Sequence, residues 1–351
     1  MSARLPVIDC DVHPHVENIA AIAPQMEPFW RDTARERGIT ELATASYPPN
    51  APITARADLR GHRGLKGLQE TVLGRWGADV AILNSLFPVQ LPFSEDMSAA
   101  FTRALNDHIR TEYLDRDARL RASIILPMGN PDQAVAEVER LAGDRRFVQA
   151  MVLVMGEMPI GRRPWWDLHA ALERHGLPLA IHAGSTYRHP VTSVGWPSWY
   201  LEDYTANVYG FQAALASLVT EGVFVKHPGL RVVLLESGVT WLPGFLWRLT
   251  KAWKGVRFEV PWLDRSPAEM VRAHVRLTVQ PFDAPDDADT VKRLLDHLRS
   301  DELLLWASDW PHAQFEGDAV APIGFDAALL DVIRTRNPLA TYARLTEGVP
   351  A

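Results

Sequence analysis

Short apolar runs recur along this chain, separated by longer stretches of helical spacing, and that alternation limits the folds open to it. Runs rich in Val, Ile and Leu lie at Val7–Val12, Val80–Ser85, Ala122–Leu126, Gln149–Val154, Leu179–His182, Arg231–Glu236, Arg276–Val279 and Leu303–Ala307. Their length and composition suit strands buried on both faces. Ser94 to Asp117 reads as a helix, opened by Ser94 with Glu95 and Asp96 in its first turn. Pro131 to Ala142 is a second, with Gly143 just past its end, and Trp165 to Arg174, ended by Gly176, is a third. Strands joined by helices run parallel, because a parallel pair needs a crossover. Eight such units fit an α/β fold, a (β/α)8 barrel in its simplest form, with an open doubly wound sheet as the rival.

Two stretches interrupt the alternation. Pro14 to Trp76 separates the first two strands and carries Pro24, Pro28, Pro48, Pro49 and Pro52, then Gly61, Gly64 and Gly67. It reads as a cap-like insertion (14–76) within a single domain of residues 1–351. Gly184 to Asp203, rich in Trp, Tyr and Pro, reads as a loop after the fifth strand. Both follow the carboxyl end of a strand, where barrel enzymes build their sites. The loops also hold Trp196, Trp199 and Trp310, for which packing is favoured over a pocket wall.

Composition narrows the function classes. A net charge of -7 with no polybasic block argues against a nucleic-acid partner. No run of eighteen apolar residues is present, so a membrane span is not expected. The single cysteine, Cys10, excludes an internal disulfide and fits a reducing, cytoplasmic setting. The opening residues lack the basic-then-apolar pattern of a secretory signal. The expected partner is a small molecule.

Chemistry is concentrated where the apolar runs stop. The first ends in Asp11-Val12-His13-Pro14-His15, the fifth in His182, the sixth in Glu236, and the eighth in Asp309, followed by His312. Residues two apart on a strand share a face, so Asp11 and His13 point together, and His15 would join them if the strand continued. Pro14 favours a turn outward before His15. Ionisable groups at the ends of apolar strands are costly unless paired or metal-bound. Carboxylate oxygens converging with imidazole nitrogens suit one divalent transition metal: zinc is favoured, and manganese fits the same donors.

These elements resemble the amidohydrolase superfamily, in particular the amidohydrolase-related branch that includes aminocarboxymuconate-semialdehyde decarboxylase and resorcylate decarboxylase. The resemblance rests on Ile8-Asp9-Cys10-Asp11-Val12-His13, Leu179-Ala180-Ile181-His182, Lys226-His227-Pro228-Gly229-Leu230-Arg231-Val232 and Ser308-Asp309-Trp310-Pro311-His312, in that order. It implies a (β/α)8 barrel holding one divalent metal at the strand ends. It implies Asp11, His13, His182 and Asp309 as metal ligands, with Asp309 also handling a proton. A frame shifted by two would choose His13 and His15 instead. The resemblance allows a homodimer, of which the chain gives no independent sign. One position departs from the pattern: related decarboxylases carry a His after the sixth strand, and here that residue is Glu236.

Asp309, Glu236 and His312 are therefore the expected catalytic residues. Three carboxylates around a dication disfavour an anionic substrate, which tilts the expectation toward hydrolysis of an amide, ester, lactone or C–C bond next to a carbonyl. The alternative is non-oxidative decarboxylation of an aromatic or unsaturated acid, and a metal-retaining binding protein is a third reading. His227 lies before its strand and reads as a packing residue, as do His62, His108, His169, His175, His189, His274 and His297. Cys10 alternates away from Asp11, toward the outer wall. Arg56, Arg60 or Arg63 could reach over the mouth to clamp a carboxylate, though a solvated face is the simpler reading of each.

Overall fold

The structure, a computed structural model, describes residues 4–43, 63–312 and 322–347. Eight parallel strands form one sheet in sequential order: β1 Ile8–Val12, β2 Val80–Leu83, β3 Leu120–Ile125, β4 Phe147–Met155, β5 Leu179–Ser185, β6 Val232–Leu235, β7 Val275–Thr278 and β8 Leu304–Leu305. The register is regular at β5–β6, where Leu179, Ala180, Ile181 and His182 face Val232, Val233, Leu234 and Leu235. Helices fill the crossovers, giving the expected (β/α)8 barrel.

The seam lies between β1 and the segment that follows β8. The Cys10 amide donates to the Trp306 carbonyl at 3.1 Å, the Asp309 amide to Asp11 at 3.1 Å, and the His13 amide to Trp310 at 2.7 Å. β8 itself is only two residues long, so much of the closure is made by Trp306 to Trp310, which continue its path. Trp306 and Trp310 are fully buried there. Removing side chains of that size from water contributes on the order of 3 kcal/mol each.

The helices begin and end for local reasons. Ser94 caps Glu95–Ile109 by accepting the Met97 amide, and acidic residues in the first turn complement the helix dipole. Asn130 caps Pro131–Leu141 through the Asp132 amide. Gly176, at φ +63°, closes Trp166–His175 in the left-handed conformation that glycine tolerates. Gly161 serves a different need. A Cβ there would lie 2.4 Å from the Ser217 carbonyl carbon and 2.5 Å from the Leu218 nitrogen, so the loop after β4 and the helix Tyr200–Thr220 meet backbone to backbone.

Several boundaries differ from the sequence reading. Of the stretch 184–203, Gly184 and Ser185 still belong to β5, and only 186–199 is loop. Helix Tyr200–Thr220 starts there because the Glu202 carboxylate turns back to accept the Ser198 and Trp199 amides. The insertion 14–76 carries helices Ile19–Ile22, Pro28–Glu36 and Leu65–Leu68, and its first part packs against helix Glu95–Ile109. The middle of the expected cap, with Arg56, Arg60 and His62, lies outside the described residues. Trp310 packs as expected, whereas Trp199 and Trp196 are exposed.

Candidate active site

Alternation on β1 turns Asp9, Asp11 and His13 into the barrel, while Cys10 packs behind the wall near Tyr342. His182 enters from β5, Glu236 from the residue after β6, and Asp309 and His312 from the turn after β8. All six expected site residues meet at this rim. Glu236 and Asp309 both hold left-handed backbone conformations, φ +54° and +56°. Such strain in a non-glycine residue costs of order 1–3 kcal/mol and is kept only where surrounding contacts enforce it. Here the Glu236 amide donates to Thr278 Oγ1 at 3.1 Å and the Asp309 amide to the Asp11 carbonyl.

The histidines are aimed by their outer nitrogens. His13 Nδ1 lies 2.8 Å from the Asn84 carbonyl oxygen, and His182 Nδ1 lies 2.7 Å from that of Ala183. With Nδ1–H donating outward, each Nε2 turns into the cluster. His13 Nε2 stands 2.9 Å from Asp309 Oδ1, 3.1 Å from Glu236 Oε1 and 3.6 Å from Asp11 Oδ1. His182 Nε2 stands 3.4 Å from Glu236 Oε1 and 3.8 Å from Asp11 Oδ2. His312 Nδ1 is 2.6 Å from Asp309 Oδ1 and 3.5 Å from Glu236 Oε1.

Charge dominates this small space. Burial opposes charge on His13, but Asp11, Asp309 and Glu236 outweigh it and hold its pKa well above the usual imidazole range. Burial likewise opposes charge on His182, and Glu236 and Asp11 overcome it. Burial pushes the Asp11 carboxyl up, only partly offset by His13 and His182. Glu236 is driven well below its ordinary value by His182, His13 and His312 despite its burial. For His312, Asp309 outweighs burial and raises the pKa to about 9. The cluster thus demands positive charge at its centre.

A divalent cation meets that demand. Asp11 Oδ2, Asp309 Oδ2 and His182 Nε2 are buried without a hydrogen-bond partner. Two quartets bring their donor atoms within 4.8 Å of one another: Asp11, His13, His182 and Glu236 form one, and His13, Glu236, Asp309 and His312 the other. Nitrogen and carboxylate oxygen at these separations are the donors a divalent metal takes.

The other sequence candidates fall elsewhere. His15 is exposed beyond Pro14 and belongs to neither quartet. Arg63 lies close enough to His15 that its charge, after burial, lowers that histidine's pKa. His227 sits on the far side of the barrel with Glu173, 3.1 Å from its Nδ1. Sequence reasoning missed Asn84. Its side-chain amide donates to Asp11 Oδ1 at 2.8 Å, and its Oδ1 accepts from Ser123 Oγ and from Gln149 Nε2 at 3.1 Å. A polar network therefore crosses β1 to β4 beneath the cluster. The available signal was Asn84 itself, a polar residue ending the second apolar run. Tyr200 was also missed. Burial, Glu236, Asp203 and Asp309 push its hydroxyl pKa up, which places the first residue of its helix beside the cluster.

A barrel that gathers histidines and carboxylates at the carboxyl ends of its strands is the architecture of metal-dependent barrel enzymes. The amidohydrolase family model matches residues 8–344, and the chain belongs to that family. The gamma-resorcylate decarboxylase of Rhodococcus jostii is 27% identical over 243 residues, spanning 64% of this chain and 70% of the relative. That of Rhizobium sp. strain MTP-10005 is 26% identical over 199 residues, spanning 54% of this chain and 60% of the relative. Among solved structures, an amidohydrolase from Mycobacterium avium subsp. paratuberculosis superposes with a TM-score of 0.73 at 19% identity, covering 97% of this chain and 98% of that one. A dihydroxybenzoic acid decarboxylase from Polaromonas sp. JS666, with bound manganese and the inhibitor 2-nitroresorcinol, gives a TM-score of 0.65 at 18% identity, covering 97% of each chain.

Proposed function

We propose that this protein is a metal-dependent, non-oxidative decarboxylase of a small aromatic acid. The observation that carries the reading is the Asp11, His13, His182 and Asp309 constellation at the rim. The relatives that share the family are decarboxylases of aromatic acids. Asp11, His13 and His182 would hold the ion, with Asp309 at its edge. Manganese is the first metal to try, given its presence in the Polaromonas neighbour, and zinc suits the same donors. When bound, the ion supplies positive charge to the carboxylate and the adjacent oxygen of the substrate.

The protein's own groups then move one proton. His312 holds it at Nδ1 against Asp309 Oδ1, 2.6 Å away. Asp309 passes a proton to the ring carbon that bears the carboxylate. The bond from that carbon to the carboxylate breaks, carbon dioxide leaves, and the electron pair of the broken bond restores the aromatic ring. Asn84 and the Ala183 carbonyl keep the ligands aligned throughout.

Glu236 supports a second reading, hydrolysis, because it stands where the resembling decarboxylases carry histidine and adds a third carboxylate. One assay separates the two. Metal-loaded protein is given 2,6-dihydroxybenzoate and related 2-hydroxybenzoates, and carbon dioxide release is measured beside turnover of ester and lactone reporters. Carbon dioxide release that stops with a chelator supports the decarboxylase. Reporter turnover with no carbon dioxide release overturns it.

A further inference from the structure

We infer that Glu236 binds the metal directly through Oε1, as the fourth donor beside Asp11, His13 and His182. This rests on the cluster being a metal site and is independent of which reaction follows.

Distance is the first argument. Four donors about 2.0–2.1 Å from a tetrahedral ion stand about 3.3–3.4 Å from one another. Glu236 Oε1 lies 3.1 Å from His13 Nε2 and 3.4 Å from His182 Nε2. It is nearer to both imidazoles than Asp11, an expected ligand, at 3.6 and 3.8 Å. Glu236, rather than Asp309, completes the quartet that contains Asp11, His13 and His182.

Backbone strain is the second. Glu236 keeps a left-handed φ of +54°, held by the Thr278 hydroxyl, with its side chain only 8% exposed. That conformation delivers a buried carboxylate to the two imidazoles, and His182 Nε2 is left without a hydrogen-bond partner beside it. A group serving only as substrate acid would have no need to sit between two metal-directed nitrogens.

Charge is the third. Asp11 and Glu236 together match the charge of a dication, and Asp309 keeps its Oδ1 2.6 Å from His312 Nδ1, outside that donor set.

The test uses the full-length protein loaded with cobalt(II) and, separately, manganese(II). Glu236→Gln should bind each ion at least about 10-fold more weakly than wild type. Its cobalt(II) visible spectrum should change in band position and intensity. Crystals of manganese-loaded wild type should place the anomalous peak within coordination distance of Glu236 Oε1, which keeps the test independent of how well the variant folds. Affinity and spectrum identical to wild type, or a peak more than about 3.5 Å from Oε1, overturn the assignment of Glu236 alone. Failure of wild type to bind either ion overturns the metal reading itself.

Discussion

The Asn84 carbonyl lies 2.8 Å from His13 Nδ1, on the opposite side of the ring from the carboxylates. Because this contact is made by the backbone, His13 keeps its tautomer whatever side chain stands at position 84. The Asn84 side chain acts separately, by donating to Asp11. Asn84→Ala should therefore leave His13 aimed while releasing Asp11. Metal affinity should fall about 10–100-fold, the usual cost of losing an outer partner of a ligand. Stability should drop by about 1–3 kcal/mol, because buried groups on Asp11, Ser123 and Gln149 lose partners. Metal titration and urea unfolding measure the two effects, and unchanged affinity would remove Asn84 from the site.

Asp309 and His312 should act as one unit. Asp309→Asn should lower kcat by at least about 100-fold, the scale of a lost proton-transfer group. His312→Gln should lower kcat while leaving metal content unchanged, since the proposed ligand set of Asp11, His13, His182 and Glu236 excludes it. The double variant should be little worse than Asp309→Asn alone. Additive losses would show that the two residues work independently.

Chelation should abolish turnover and also soften the fold. An ion present at a thousandfold excess over its Kd stabilises the native state by about 4 kcal/mol. Dialysis against a chelator should lower the melting temperature, and added manganese should restore both stability and activity. A melting curve indifferent to metal would contradict a site built into the native barrel.

His169 should make the protein acid-sensitive from outside the site. It is fully buried, and the His227 ring is 6.1 Å away. Burial, assisted by His227, lowers its pKa to about 3 from the ordinary 6.5. The unfolded chain binds this proton more readily than the folded one, so stability rises with pH across that interval. The contribution is complete above about pH 6.5 and is lost as pH falls toward 3. A shift of this size corresponds to about 5 kcal/mol. His169→Leu should flatten the stability–pH curve by about that amount in acid unfolding, and an unchanged slope would exclude His169 as the source.

Gly161→Ala should be costly although the residue lies in a loop. The new methyl would press on the Ser217 and Leu218 backbone, which cannot rotate away as a side chain could. A loss of about 1–3 kcal/mol in unfolding free energy is expected.

The barrel was legible because each strand announced itself by a buried run of Val, Ile and Leu, and strand ends such as Asp11, His182 and Asp309 interrupted those runs with costly polar groups. Helix starts were legible where a cap was written locally, as at Ser94. Tyr200–Thr220 was harder to place, since its start depends on Glu202 reaching back to Trp199, and the aromatic residues around it resemble a loop wall. Asn84 was invisible for another reason. A single amide at a strand end has many uses, and only the closed barrel sets it against Asp11, Ser123 and Gln149. The exchange of Glu236 for the expected histidine was plain in the sequence, but its place between His13 and His182 was not, because the left-handed turn that delivers it is a tertiary outcome.

The seam between β1 and the turn after β8 has a last consequence. Asp11 and Asp309 come from nearly opposite ends of the polypeptide, and the amide that joins them is also the stitch that shuts the cylinder. The seam therefore sets Asp309 and His312 beside the first strand. A circular permutant opened at this stitch should lose the proton-carrying pair Asp309 and His312 while the proposed donors on β1, β5 and β6 stay together.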